Sequence, residues 1–73
     1  MFYTVIEVQE SKKGVRSVLP TVYDNETSAL AAFYTVLSAA AVSDIPYHSA
    51  HILRSDGIIT DGRVFDRHVV EEA

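Results

Sequence analysis

A stretch of sixteen residues without a charged side chain, Thr27 to Val42, constrains the fold more than any other part of the chain. Alanine is its commonest residue and the strongest helix former, so the stretch predicts one long helix. Asp24 or Asn25 can accept hydrogen bonds from the free amides of the first turn, and Glu26 complements the positive end of the helix dipole. A helix that carries no charge on any side predicts two buried faces.

The two faces of this helix differ in the size of their side chains. One face carries apolar residues at helical spacing, four of them large, and we expect it to cover a sheet: Ala29, Leu30, Phe33, Val36, Leu37 and Ala40. The opposite face carries small uncharged residues: Ser28, Ala31, Ala32, Thr35, Ser38 and Ala39. A solvent-facing helix would normally carry Lys, Glu or Arg there, so these six residues are predicted to form an oligomer interface. The alternative is an exposed alanine-rich helix that forms by propensity alone.

Four segments rich in β-branched and aromatic residues flank the helix, two on each side, and predict strands. They run over Phe2 to Gln9, Val15 to Tyr23, Tyr47 to Ser55, and Ile58 to Phe65. Gly14 in the first connection and Asp56-Gly57 in the last are typical of hairpin loops. The chain therefore predicts an α+β fold in the order β-β-α-β-β, with a mostly antiparallel four-stranded sheet and one helix packed on one face.

Alternation along the first strand separates two faces. Phe2, Thr4, Ile6 and Val8 make the more apolar face, which we expect to lie under the helix. The other face keeps Tyr3 and Val5, and with apolar residues from the other strands it is more apolar than a solvated sheet requires.

Three further positions bear on the strand ends. Pro20 cannot donate to a strand ladder, which predicts that the second strand lies at an edge or is interrupted there. Asp61-Gly62 predicts a bulge or an early end of pairing in the fourth strand. We treat residues 1–73 as a single domain, in which residues 68–73 are expected to fray apart from a brief pairing of His68 to Val70.

Size and composition favour self-association and argue against several classes of function. A domain of 73 residues buries only about 60% of its unfolded surface, and without cysteine it has no disulfide to supplement the core. The net charge of −4 is dispersed, whereas a nucleic-acid surface needs clustered Lys and Arg. The uncharged helix is shorter than the roughly 20 residues that span a bilayer, and an alternating strand pattern follows Met1 in place of a leader. We expect no nucleic-acid partner, no membrane association and a cytoplasmic location.

The histidines are the first candidates for chemistry. His48 and His51 are three residues apart, so on a strand they point to opposite faces and do not readily bind one metal ion. His68 follows Asp66 and Arg67 near the end of the fourth strand, and we expect these charged residues to form a surface ion pair. Ser49 lacks the glycine-flanked elbow of a nucleophile, and no glycine-rich phosphate loop is present. The sequence predicts no enzyme, no catalytic residue, no metal and no cofactor.

Three parts of the chain carry a resemblance: MFYTVIEVQE, SALAAFYTVLSAAAVSDIPYHSA and ILRSDG. In this order they resemble short proteins encoded in prophages and mobile elements of gut Clostridia-type bacteria, over Met1 to Arg67. The resemblance implies a phage-related origin and carries over no catalytic or binding residue.

The expected function is a small non-catalytic protein–protein interaction module of phage or mobile-element origin that acts as a homo-oligomer, with a dimer favoured. A host or phage protein is an alternative partner. Two other functions stay open. One is an acidic inhibitor or regulator of a host enzyme, which would occupy a basic site. The other is a minor enzyme that uses His48 or His51 as a base and needs a pocket beside that imidazole.

Overall fold

The computed structural model of the chain describes residues 1–67, which form one four-stranded sheet and one helix. The elements are β1 (Tyr3–Glu10), β2 (Arg16–Tyr23), α1 (Glu26–Val42), β3 (Tyr47–Arg54) and β4 (Ile59–Asp66). Neighbouring strands are antiparallel in the order β2-β1-β3-β4, and α1 packs on one face of the sheet. The predicted α+β fold is confirmed, and each element begins and ends within a residue of its predicted bounds. The predicted fraying of residues 68–73 lies outside the described residues.

Side chains at both ends fix the extent of α1. Asn25 is the N-cap, and its Oδ1 accepts a hydrogen bond from the amide of Ser28 at 2.8 Å. At the other end, Nη2 of Arg67 donates to the carbonyl oxygens of Ala40 at 2.7 Å and Ala41 at 3.2 Å. The last turn of α1 has no basic residue of its own, so Arg67 supplies the cation that complements the negative end of the helix dipole.

The core lies between α1 and the two central strands. Ala29 and Phe33 of the helix meet Val5 of β1 and Ala50 and Ile52 of β3, and all five are buried. The six helix residues predicted to cover the sheet are confirmed as the covering face. Three of them are buried and three are half-buried against the sheet: Ala29, Phe33 and Ala40, and then Leu30, Val36 and Leu37.

The sheet presents to α1 the face opposite to the predicted one. Val5 lies under the helix, and because side chains alternate along a strand, Tyr3, Glu7 and Gln9 share its face. The prediction that Phe2, Thr4, Ile6 and Val8 lie under the helix is therefore wrong. An apolar count favoured that face because the true helix-facing side of β1 ends in two polar residues. Glu7 accepts a hydrogen bond from the buried imidazole of His48, and Gln9 donates to Glu7.

The turn residues largely behave as predicted. β2 is an edge strand, which agrees with the expectation from Pro20. Gly14 and Gly57 take positive φ angles of 80° and 92° in the two hairpin loops, which residues with a Cβ rarely adopt.

The bulge predicted at Asp61-Gly62 in the fourth strand is confirmed to within a residue, and the alternative prediction is wrong. β4 continues through Gly62 to Asp66, so an early end of pairing is wrong, and the shift in register lies beside it, between Ile59 and Asp61. A close approach explains this glycine: a Cβ at Gly62 would lie 2.6 Å from Nδ1 of His51, its partner on β3. The imidazole of His51 therefore occupies the space that a side chain would need.

Candidate functional site

The face of the sheet that points away from α1 is the most unusual surface of the described chain. We call it the open sheet face and define it by the strand register and side-chain alternation. It comprises Thr4, Ile6 and Val8 of β1, Val18, Pro20 and Val22 of β2, Ser49, His51 and Leu53 of β3, and Ile59, Gly62 and Val64 of β4. None of these residues is Asp, Glu, Lys or Arg, and most are apolar.

The apolar side chains on the outer strands of the open sheet face are in contact with solvent. Val18 is 57% exposed, Val22 59%, Ile59 62% and Val64 48%. Within residues 1–67, α1 packs on the other face, so no described element covers this one. Large contiguous apolar patches are rare on soluble monomers and mark interaction surfaces.

The dimensions of the open sheet face suit a protein interface. Four strands about 4.8 Å apart, each rising about 3.4 Å per residue over eight residues, give a projected area of about 500 Å². The accessible area over protruding side chains is larger than this projection, and exposed Phe2 extends the face beyond β1. Each partner of a standard interface contributes about 800 Å² of accessible surface, so the face can supply most of one side.

A polar row of residues borders the open sheet face at one end. Glu10 and Arg16 are direct partners on β1 and β2, and their carboxylate Oε2 and guanidinium Nε lie 2.6 Å apart. The hydrogen bond to Glu10 holds the pKa of Arg16 above its ordinary value. Tyr47 and Asp66 continue the same row across β3 and β4. A hollow of about 270 Å³ lies at this end, beside Val8, Gln9, Glu10, Arg16 and Tyr47.

The six helix residues predicted to form an interface lie mostly in solvent in a single chain. Ser28, Ala31, Thr35, Ser38 and Ala39 are exposed, whereas Ala32 is half-buried and packs against the core. The hydroxyl of Thr35 donates to the carbonyl oxygen of Ala31 at 2.9 Å, so its donor is already used within the helix. The predicted helix interface stays a prediction, and the open sheet face is a second candidate surface on the opposite side of the domain.

A buried polar cluster lies on the helix-facing side of the sheet. His48 is 3% exposed, and its Nε2 lies 2.5 Å from Oε2 of Glu7. The amide of Gln9 donates to the same oxygen at 2.8 Å. Because the carboxylate accepts, Nε2 of His48 is the donor in this pair. Sequence reasoning missed the cluster because it depends on β1 lying next to β3, although Glu7 and Gln9 two residues apart on one strand face were a visible signal.

The enzyme alternative depends on where His48 and His51 lie. His48 faces the helix and His51 lies on the open sheet face against Gly62, which confirms that they point to opposite faces. The hollow at the polar end and a larger one of about 320 Å³ are both lined by other residues, the latter by Ser11, Lys12, Lys13, Asp44, Ile45 and Pro46. Residues 1–67 contain no group of three or more metal-ligating side chains arranged around one point. His68 lies outside the described residues.

Two further ion pairs join charged side chains that lie close together on the surface. Lys12 lies 3.3 Å from Asp44, and Arg54 lies 2.7 Å from Asp56 in the last hairpin loop. The hydrogen bond from Arg54 holds the pKa of Asp56 below its ordinary value. Such pairs place opposite signs side by side, so they do not favour a single acidic surface, and the acidic-inhibitor function stays a prediction.

A scan against protein-family models, a search of curated proteins and a search of solved structures each found no match to this chain. The resemblance to prophage and mobile-element proteins therefore stays a prediction. Among residues 1–67, no helix has the length and apolar character needed to cross a bilayer.

Proposed function

We propose that the protein is a non-catalytic protein–protein interaction module that acts as a homo-oligomer, with the dimer favoured, and that the open sheet face forms its interface. The observation that supports this proposal is a contiguous apolar face, free of charge, that no element of residues 1–67 covers. The phage-related origin and the cytoplasmic location belong to the same proposal and rest on the sequence alone.

The composition of this face lowers the cost of association. Six of its apolar side chains are valine or isoleucine: Ile6, Val8, Val18, Val22, Ile59 and Val64. β-Branched side chains are already restricted at χ1 and lose little conformational freedom on burial. A second apolar face would remove them from water, and the hydrophobic effect supplies the main driving force for such an association.

The two candidate surfaces can be separated because they lie on opposite sides of the domain. A dimer that forms through the sheet leaves five residues of the helix face exposed: Ser28, Ala31, Thr35, Ser38 and Ala39. A dimer that forms through the helix leaves the open sheet face exposed to solvent. A charge placed on one surface should therefore affect only one of these dimers.

The test is the solution mass by light scattering at micromolar concentration, for the parent and three single variants. We expect the parent at about twice the chain mass of 8.1 kDa. Val18→Lys buries an unpaired charge in the proposed interface and should give a monomer. Ala39→Glu on the helix face should leave the dimer intact. Val42→Lys is the matched control, since Val42 is 87% exposed at the end of α1.

Two results would overturn the proposal in different ways. A parent that is monomeric under these conditions removes the homo-oligomer itself. A dimer that survives Val18→Lys and is lost with Ala39→Glu moves the interface to the predicted helix face. Far-ultraviolet circular dichroism on each variant shows whether a change of mass reflects the interface or loss of the fold.

A further inference from the structure

The charged row that borders the open sheet face at one end limits the orientations in which two copies can pack face to face. Glu10, Arg16, Tyr47 and Asp66 form one row across the sheet at its polar end, because each is the register partner of the next in the order Arg16, Glu10, Tyr47, Asp66. The rows beyond it carry no charge. The open sheet face is therefore bordered by a charged row at one end and carries no charged residue over the rest of the sheet.

Two sheets that pack face to face lie about 10 Å apart with strands roughly aligned. A symmetric dimer of this kind has its twofold axis in the plane between the sheets. The axis can run across the strands, which reverses the ends of one copy relative to the other. It can instead run along the strands, which keeps like ends together and exchanges the two edges.

An axis across the strands places the polar end of each copy on the apolar end of the other. Arg16 would lie near Val22 of the partner subunit, and Glu10 near Thr4 of the partner subunit. An ion pair covered by apolar surface loses its hydration and gains no new partner, so this arrangement carries a desolvation cost at both ends.

An axis along the strands places β2 over β4 of the partner subunit and β1 over β3. Arg16 then lies over Asp66 of the partner subunit, which pairs opposite charges at two symmetric positions. In the next rows Val18 lies over Val64 of the partner subunit, and Pro20 lies over Gly62 of the partner subunit.

We propose that the protein forms a face-to-face dimer with a second copy of itself in which the twofold axis runs along the strands, so that β2 of each copy lies over β4 of the other. This arrangement rests on the proposed function, because it specifies how the open sheet faces meet. It leaves α1 of both copies on the outside of the dimer.

Cysteine cross-linking tests the arrangement directly, because the chain has no cysteine of its own. Val18→Cys and Val64→Cys are prepared as separate proteins, with an affinity tag on one, and are mixed and treated with a short bismaleimide. In the proposed dimer the two different thiols oppose each other, while two thiols at position 18 are separated by about 14 Å sideways, three strand spacings. We expect a cross-linked species that contains one tagged and one untagged chain, and loss of that species when either variant is omitted.

A second pair, Val22→Cys with Ile59→Cys, lies in the row at the far end and should behave in the same way. Cross-linking of Val18→Cys with itself, and no gain on mixing with Val64→Cys, would overturn the arrangement while the dimer stands. Loss of all cross-links with a monomeric parent mass would instead overturn the proposed function. The two failures are therefore distinguishable.

Discussion

Two glutamates on β1 allow the contribution of the buried polar cluster to the free energy of unfolding to be measured. Glu7 belongs to the cluster, and Glu10 is the matched control. The side chains of Glu7 and Glu10 are both 20% exposed, and each makes a hydrogen bond shorter than 2.7 Å to a side chain on a neighbouring strand. Their partners differ, because the side chain of His48 is 4% exposed and that of Arg16 is 81% exposed. Glu7→Ala and Glu10→Ala therefore remove the same carboxylate from positions of equal exposure. They differ in the burial of the partner that loses its hydrogen bond.

The expected losses of stability follow from these partners. Glu7→Ala leaves a buried donor of His48 without an acceptor and also removes the bond from Gln9. A hydrogen bond to a charged group contributes about 1.5–3 kcal/mol and an unsatisfied buried donor costs about 1–3 kcal/mol, so we expect a loss of about 2–3 kcal/mol. Glu10→Ala breaks an ion pair whose guanidinium is 81% exposed in a single chain, and it should cost about 0–1 kcal/mol. For a domain of this size each kcal/mol lowers Tm by about 4–8 °C.

Thermal and urea unfolding followed by circular dichroism measures both losses. Each variant is compared with the parent at two protein concentrations, because self-association makes the apparent stability rise with the logarithm of the protein concentration. Glu7→Gln, which keeps an acceptor for His48, should recover part of the loss. Equal losses for Glu7→Ala and Glu10→Ala would refute the reasoning that burial of the partner decides the cost.

Three further perturbations test local features of the fold. Asn25→Ala should lower stability by about 1 kcal/mol through loss of the N-cap, measured by urea unfolding, and an unchanged midpoint would contradict that role. Gly62→Ala should cost about 1–3 kcal/mol because its Cβ would lie 2.6 Å from the imidazole of His51, and His51→Ala in the same chain should restore most of the loss. The pKa of Asp56 is lowered in the folded state by Arg54, so its stabilising contribution is present at neutral pH and is lost as pH falls through the folded pKa. Arg54→Ala should reduce this acid-side loss in unfolding experiments below about pH 4, and an identical pH dependence would argue against the pairing.

The elements of this fold are predictable because their signals are local. Gly14 and the Asp56-Gly57 pair mark the two hairpin loops, and Asp24 or Asn25 marks the start of the helix, without reference to the rest of the chain. The structure makes Asn25 the N-cap. Pro20 predicts an edge strand because a missing amide has the same consequence in any sheet.

The choice of which sheet face meets the helix is not local, and there the sequence prediction failed. Glu7 and Gln9 look like solvent-facing residues until β1 is placed next to β3, where Glu7 accepts from His48 and Gln9 donates to Glu7. The sequence did predict that the uncovered face would be too apolar for solvent. It assigned Tyr3 and Val5 to that face, whereas the structure places the opposite set there.

The size of the exposed helix face also depends on tertiary packing. Ala32 belongs by spacing to the small-residue face, yet it contacts the core, so the exposed part of that face is smaller than the sequence indicates. The residues of the open sheet face can be identified only when the register of all four strands is known. That register is fixed by contacts between residues far apart in sequence.

The central claim, that the open sheet face is buried in solution, is tested most directly by methyl NMR with a soluble paramagnetic chelate. In a single chain Val18, Val22 and Val64 are 57%, 59% and 48% exposed, and Val42 at the end of α1 is 87% exposed. The proposed dimer predicts that the chelate broadens the Val42 methyl signals strongly and leaves those of the three sheet valines nearly unchanged. Broadening of all four valines in proportion to these exposures would show that the face is open to solvent and would contradict the claim.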